Sequence, residues 1–248
     1  MTLIVSLRVP DGIVIAADSL LTVKKEGQPT SSLSYTQKVL PFYGRFGVGI
    51  LGIGLLANKS VHVAIRSFEQ DLKEKETPFK GVTEIAEKIG NHLHDLLKKQ
   101  LNQENKSLNT LQPGQFALGL QVVGYDNDTN PKTVEVYVGK NVHCEVRKEF
   151  GCTYTGSGEI VQAIWSLYKT SSESQPVYPL LSLQDAIDYA EFLIRTTIVH
   201  QRFSRKTPDV GGDIDVALVT PFNEFQWIRQ KPLGEILEGT LYGTGRTC

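Results

Sequence analysis

The first eighteen residues constrain this chain most. Thr2-Leu3-Ile4-Val5-Ser6-Leu7-Arg8 is β-branched and reads as a strand. Pro10-Asp11-Gly12 carries turn formers, and Ile13-Val14-Ile15-Ala16-Ala17 reads as a second strand. The two make a hairpin that begins at residue 2, although chain termini ordinarily fray. A fold built on this hairpin has its earliest residues in a core strand.

The later pattern follows in blocks. Lys24 to Ser34 is polar, holds Gly27 and Pro29, and reads as a loop. Lys38 to Tyr43 and Phe46 to Leu51 predict a second hairpin turning at Gly44-Arg45. After Gly52 and Gly54 a helix is expected from about Leu55 to Leu72, with Val61, Ile65, Phe68 and Leu72 at helical spacing. Thr77-Pro78 ends it. A second helix is expected over Val82 to Leu101, followed by a polar connection from Asn102 to Gly114. Phe116 to Tyr125, Thr133 to Val138 and His143 to Phe150 read as three strands, the first two separated by a turn at Asp126 to Pro131. Gly156-Ser157-Gly158 opens a helix to about Tyr168. Ser182 caps another over Leu183 to Phe203. Ile214 to Thr220 and Glu224 to Ile228 read as late strands, and the tail from about Gly239 is expected to be mobile. Strands in blocks with helices in pairs do not suit alternating β–α units. They suit an α+β, four-layer αββα sandwich of two antiparallel sheets. No repeat, linker or low-complexity block interrupts it, so residues 1–248 are expected to form one domain.

Composition excludes several functions. Lys plus Arg is 26 against 27 Asp plus Glu, a net charge of −1, so no overall bias draws the chain to nucleic acid or an anionic membrane. Cys144, Cys152 and Cys248 are too few and too scattered for a disulfide framework or a zinc site. A reducing, cytoplasmic setting fits. The N-terminus lacks a basic segment and is not expected to be a signal peptide. The longest apolar run, Phe46 to Ala57, is too short to span a bilayer. His92 and His94 lie two apart on a helix and face different directions, so no metal pair is expected. Gly47-x-Gly49-x-x-Gly52 matches a dinucleotide fingerprint only formally, because it lies within a strand and at its end. No cofactor or metal is expected.

The chemistry turns on Thr2. Its side chain is small enough for removal of Met1, which would leave a hydroxyl and a free α-amine on one residue. Such an amine has a pKa of about 8 and can serve as base to its own hydroxyl. The stretch from Thr2 through Asp11-Gly12 to Ala16-Ala17-Asp18-Ser19 closely resembles the opening of proteasome β subunits, including the spacing from Thr2 to Asp18. Gln37-Lys38-Val39-Leu40-Pro41 resembles the family's lysine-bearing strand. Phe46 to Gly52 resembles the strand that ends in its oxyanion-hole glycine. Thr155-Gly156-Ser157-Gly158 resembles its serine turn, and Val210-Gly211-Gly212-Asp213-Ile214-Asp215-Val216 the glycine turn and strand after the fourth helix. These segments run in family order from residue 2 to 220.

The resemblance implies an N-terminal-nucleophile hydrolase with Thr2 as nucleophile. Lys38 would lower the pKa of the Thr2 groups, Asp18 would orient Lys38, the Gly52 N–H would hold the oxyanion, and Ser157 would hydrogen-bond the amine. It implies peptide or unfolded-protein substrates and a homo-oligomeric ring or helical ring, and it leaves room for an ATPase partner that the sequence does not name. Only Met1 precedes Thr2, which is similar to bacterial members of the HslV and Anbu types; at 248 residues the length is nearer the Anbu type. One departure stands out. The family's Asp-x-x-Ser after the fourth helix corresponds to Gln201-Arg202-Phe203-Ser204, with Gln201 in place of the Asp. Asp209 or Asp213 could restore a charge there. That departure supports two alternatives: a catalytically weak or inactive structural or binding subunit, and an amide hydrolase on the same fold that does not cleave peptides.

Overall fold

The computed structural model describes residues 2–23, 31–33, 36–108, 115–126, 129–170, 175–221 and 225–231. The opening hairpin forms as the sequence requires, with strand β1 over Leu3–Val9 and β2 over Gly12–Asp18. Every residue of both strands is buried. A short hairpin follows, β3 (Leu21–Val23) with β4 (Ser31–Leu33). Residues 24–30 of the expected loop lie outside the described residues. Strand β5 (Val39–Phe42) and β6 (Phe46–Gly52) make the second expected hairpin.

Beyond β6 the structure corrects the sequence reading. A two-residue-strand hairpin, β7 (Leu55–Leu56) with β8 (Lys59–Ser60), precedes helix α1, which spans Val61–Glu74 rather than starting near Leu55. Ala57 and Asn58 both take positive φ, 47° and 64°, as a tight hairpin turn demands. Ser60 then caps α1 by accepting a hydrogen bond from the Val63 N–H. Helix α2 spans Val82–Gln103, with Ile85, Ile89, Leu93 and Leu97 on its buried face.

Strands β9 (Phe116–Tyr125), β10 (Pro131–Gly139) and β11 (Val142–Arg147) form a meander. The expected third strand, to Phe150, stops at Arg147. A separate strand, β12 (Gly151–Gly156), follows and pairs with β1. Helix α3 covers Glu159–Thr170 and α4 covers Leu183–Arg202, the latter opened by a full capping box between Ser182 and Asp185. Strand β13 (Ile214–Val219) and β14 (Gln226–Arg229) complete the described elements. Glu224 and the tail from Gly239 lie outside the described residues.

The strands form two five-stranded antiparallel sheets, ordered β12-β1-β2-β13-β14 and β11-β10-β9-β6-β5. Leu3, Val5, Leu7 and Val9 point from β1 toward α4 and share a core with Ala186, Ala190, Leu193 and Ile194. On the other side, α1 and α2 cover β9, β10 and β6 through Ile65, Ile85, Ile89 and Leu93. A third cluster fills the space between the sheets, with Ile4, Ile13 and Ile15 from one and Val39, Leu51 and Val123 from the other. Both sheets are therefore covered on two faces, which is why β1 and β2 are buried along their whole length. The layer order is the four-layer αββα sandwich that the sequence implies.

The glycines of β6 set the sheet spacing. A Cβ on Gly49 would come within 2.8 Å of the Ile4 side chain, and one on Gly47 within 3.1 Å of the Ile15 side chain, both from the opposite sheet. Close approach of the sheets, not nucleotide binding, accounts for the Gly47-x-Gly49 pattern. Gly49→Val should overpack this layer and lower stability by about 1–3 kcal/mol in denaturant unfolding. Wild-type stability in the variant would show that the sheets separate freely there.

Candidate active site

Register places the sequence-derived residues at one end of the sandwich. β1 begins at Leu3 opposite Gly156, the last residue of β12, and Asp18, the last residue of β2, pairs with Ile214. In the second sheet, Lys38 leads into β5, and Gly52 ends β6. The two sheets meet here through Lys38, whose Nζ lies 2.9 Å from Asp18 Oδ1.

Asp18 is the centre of the arrangement. It is fully buried and accepts four hydrogen bonds. Oδ1 takes the Leu3 N–H at 3.0 Å and the Lys38 ammonium at 2.9 Å. Oδ2 takes the N–H groups of Leu20 and Gly211, at 3.2 and 3.0 Å. A carboxylate with four donors is held rigidly, and each donor belongs to a different segment. Lys38 is also buried and donates to the Leu20 carbonyl at 2.7 Å. Burial holds its pKa below the usual lysine value, and the Asp18 charge only partly offsets that effect.

Thr2 lies beside this pair, 6% exposed, one residue before the amide that binds Asp18. Its carbonyl accepts the Ser157 N–H at 2.8 Å. That contact needs the glycine before the serine: Gly156 has φ +102°, and a Cβ there would sit 1.8 Å from the Thr2 oxygen. The Ser157 hydroxyl is buried and has no hydrogen-bond partner among the described residues. Gly52 is exposed at the strand end with φ +100°, and a Cβ on it would meet the Ala117 carbonyl at 2.4 Å. A side chain is therefore excluded where the sequence places the oxyanion donor.

The residues after α4 are placed differently from the sequence expectation. Gln201 contacts neither Thr2 nor Ser157 by any described hydrogen bond. Its Oε1 accepts the N–H groups of Asp209 and Val210 at 2.9 and 3.0 Å, and its Nε2 donates to Asp209 Oδ1 at 2.7 Å. The amide thus braces the turn that presents Gly211 to Asp18. Ser204 donates to the carbonyls of Gln201 and Lys206, closing the end of α4. Asp209 is half-buried and makes a favourable charge interaction with Lys38, whereas Asp213 is exposed on the rim of a cavity of about 400 Å³.

Sequence reading missed a second buried pair. Lys231 and Asp215 are fully buried and joined by an ion pair, and the Lys231 N–H also binds Asp215 Oδ1. The Lys231 ammonium donates to the Thr36 carbonyl at 2.9 Å, just before Lys38, and its charge also disfavours the charged form of Lys38. Asp215 sits in an apolar strand and could have raised suspicion; nothing local marks Lys231. Among the described residues no His, Cys, Asp or Glu cluster is arranged to hold a metal ion, and no helix is long and apolar enough to cross a membrane.

Two antiparallel sheets packed between helix pairs form a proteasome-like αββα sandwich. Solved structures with this fold include an Anbu mutant from Hyphomicrobium sp. strain MC1, at TM-score 0.60 and 14% identity over 100% of both chains. Anbu, described as an ancestral beta-subunit, from Yersinia bercovieri gives TM-score 0.60 and 16% identity over 99% of both chains. At these identities the likeness is one of fold. By sequence, the chain matches no family model and no curated protein.

Lys231→Ala should strand the buried Asp215 carboxylate and destabilise the protein by about 3–5 kcal/mol. Lys231→Met with Asp215→Leu should recover most of that loss in the same thermal or denaturant unfolding. A single variant of wild-type stability would show that the pair is solvated.

Proposed function

We propose that this chain is a threonine-type peptidase subunit in which Thr2 supplies both nucleophile and base once Met1 is removed. The observation that carries the reading is the Asp18 carboxylate. It holds the Lys38 ammonium and the backbone next to Thr2 on one oxygen, at the sheet end where Ser157 and Gly52 also lie. A buried lysine fixed in that position has no packing role that an apolar side chain could not fill better.

The steps follow from the groups present. The Thr2 Oγ attacks the scissile carbonyl, and the Thr2 amine takes its proton. The Gly52 N–H binds the oxyanion, and the Lys38 charge favours both the neutral amine and the developing alkoxide. Collapse expels the amine half of the substrate, which receives the proton from the α-ammonium, and water then hydrolyses the acyl ester. The unpartnered Ser157 hydroxyl is available to orient the amine. Peptides or unfolded proteins are the substrate class, and assembly into a homo-oligomeric ring or helical ring would enclose the sites. Gln201 acts at one remove, through the turn that carries Gly211, so its missing charge does not by itself argue for an inactive subunit.

Intact-mass analysis tests the reading. The mature protein should lack Met1 and gain one adduct per chain from a threonine-directed epoxyketone. Thr2→Ala should take up none, and Lys38→Ala should lower peptide hydrolysis at least about a hundredfold. Met1 retained on most chains, or an adduct on Thr2→Ala, would overturn it.

The lowered Lys38 pKa adds a pH test. Since the ammonium form is the working one, activity should fall as pH rises through a value below the ordinary lysine pKa of about 10.4. Replacing Lys231 and Asp215 together by Met and Leu should move that alkaline limb upward, because the charge opposing the Lys38 proton is removed. An unmoved limb would assign it to another group.

A further inference from the structure

The opposite end of β1 holds a buried cation that the proposed chemistry does not use. Arg8 is six residues from Thr2 along the strand, about 20 Å away at strand rise. It is 4% exposed, and among the described residues no carboxylate forms an ion pair with it; the nearby Glu135 charge favours it from a distance but is itself paired with Arg147. Its Nε donates to the Glu149 carbonyl at 2.8 Å, and its Nη1 donates to the Thr133 and Thr153 hydroxyls at 2.9 and 2.8 Å. These three bonds tie β12, the turn before it and the second sheet to β1. The remaining nitrogen, Nη2, has no hydrogen-bond partner among the described residues. Burial pushes the guanidinium down to about 10, so it stays charged at neutral pH.

Arg8 also lines a cavity of about 380 Å³. Phe150, Trp165, Tyr168 and Tyr178 supply aromatic wall, and Lys169 adds a second positive charge from an exposed position. Among the described residues none that lines it is acidic. The Trp165 indole N–H, in the same wall, is buried without a partner among the described residues. Buried charges are costly, and a guanidinium that forms no ion pair among the described residues, beside an aromatic cavity of ligand size, asks for an anion.

We infer that this cavity is a binding site for a small aromatic carboxylate, with the Arg8 Nη2 as its charge-pairing donor. The aromatic wall fits a planar apolar body. A phosphate dianion calls for several charge-assisted donors, whereas the one free guanidinium nitrogen suits a single carboxylate. The site is independent of the Thr2 chemistry and stands whether or not the chain cleaves peptides.

Calorimetric titration of the full chain with indole-3-acetate tests this, with indole-3-acetamide and inorganic phosphate as controls. Indole-3-acetate should bind saturably, one per chain, with a Kd of about 1 mM or tighter. The neutral amide should bind at least about tenfold more weakly, the loss expected for a charged hydrogen bond. Arg8→Gln removes the charge but also loosens three tethers, so a second variant keeps the guanidinium in place. A Cβ at Gly151 would lie 3.5 Å from the Arg8 Nη2, an ordinary contact, so Gly151→Val places apolar side chain beside that nitrogen. It should melt like wild type and lose at least about tenfold in affinity. Lys169→Ala, at an exposed position, should weaken binding a few-fold. No saturable binding of indole-3-acetate, equal binding of the amide, or wild-type affinity in a folded Gly151→Val protein would each overturn the inference. Tight phosphate binding without carboxylate binding would overturn it as well.

Discussion

The four hydrogen bonds on Asp18 organise one whole end of this molecule. The donors come from the start of β1, the segment after β2, the residue that leads into β5 and the turn before β13. No other described side chain gathers segments so far apart in sequence around one carboxylate. Burying that carboxylate is tolerable only because every lone pair is met, and meeting them fixes Lys38 and Thr2 relative to each other. Gln201 extends the same network outward: it holds the Asp209–Val210 backbone, and the next amide, Gly211, binds Asp18. An uncharged amide serves there because its oxygen receives two backbone N–H groups while its nitrogen meets the Asp209 carboxylate.

Much of the sandwich was legible because its elements carry local signals. The apolar runs of β1 and β2, the helical spacing of Val61, Ile65, Phe68 and Leu72, and the Ser182 cap each identify an element without reference to anything distant. What escaped had weak or non-local causes. β12 is a six-residue strand, Gly-Cys-Thr-Tyr-Thr-Gly, bounded by glycines, and its partner β1 lies far away in sequence, so only long-range pairing marks where it begins and ends. The β7–β8 hairpin was hidden because Leu55 and Leu56 fit an early helical turn, and only the positive φ of Ala57 and Asn58 breaks that pattern. At the site, Thr2, Asp18 and Lys38 stood out through the resemblance to proteasome β subunits, and the structure brings Lys38 and Asp18 together beside Thr2. The function of Gln201 was not legible, since a side chain that braces a turn eight residues on leaves no mark in a motif. Lys231 was invisible for the same reason: its partner is a strand residue sixteen positions earlier, and its effect on Lys38 acts through space.

The two faces of β1 divide the labour of the fold. The face toward α4, formed by Leu3, Val5, Leu7 and Val9, is apolar throughout and anchors the helix layer. The face toward the other sheet changes along its length. Ile4 fits against Gly49 at the Thr2 end, Ser6 meets the Thr133 hydroxyl at 3.1 Å, and Arg8 reaches the same threonine at the far end. The seam between the sheets is thus dry where the two glycines admit close approach and polar where hydroxyls and a guanidinium replace aliphatic carbon. Thr155 joins that polar region through Gln121 and Glu135. A strand held this way from both sides cannot slip by one residue, because the slip would turn Ile4 and Arg8 toward the helices and the leucines into the seam.

This register also bears on why buried charge is present at all. The Asp18–Lys38 and Asp215–Lys231 pairs and the Arg8 guanidinium are all withdrawn from water. Pairs of this kind are commonly matched or exceeded in stability by apolar residues of similar size. The surface pairs, such as Lys73 and Arg66 on Glu69, are half-exposed at the cation and contribute little. Net stability is therefore a poor explanation for the buried charges, while position is a good one. Each occupies a site where a strand ends or begins and where the other sheet supplies part of its shell. A fixed charge in a low-dielectric seam acts strongly on whatever polar group is brought next to it, the proposed nucleophile Thr2 at one end of β1 and the inferred carboxylate ligand at the other.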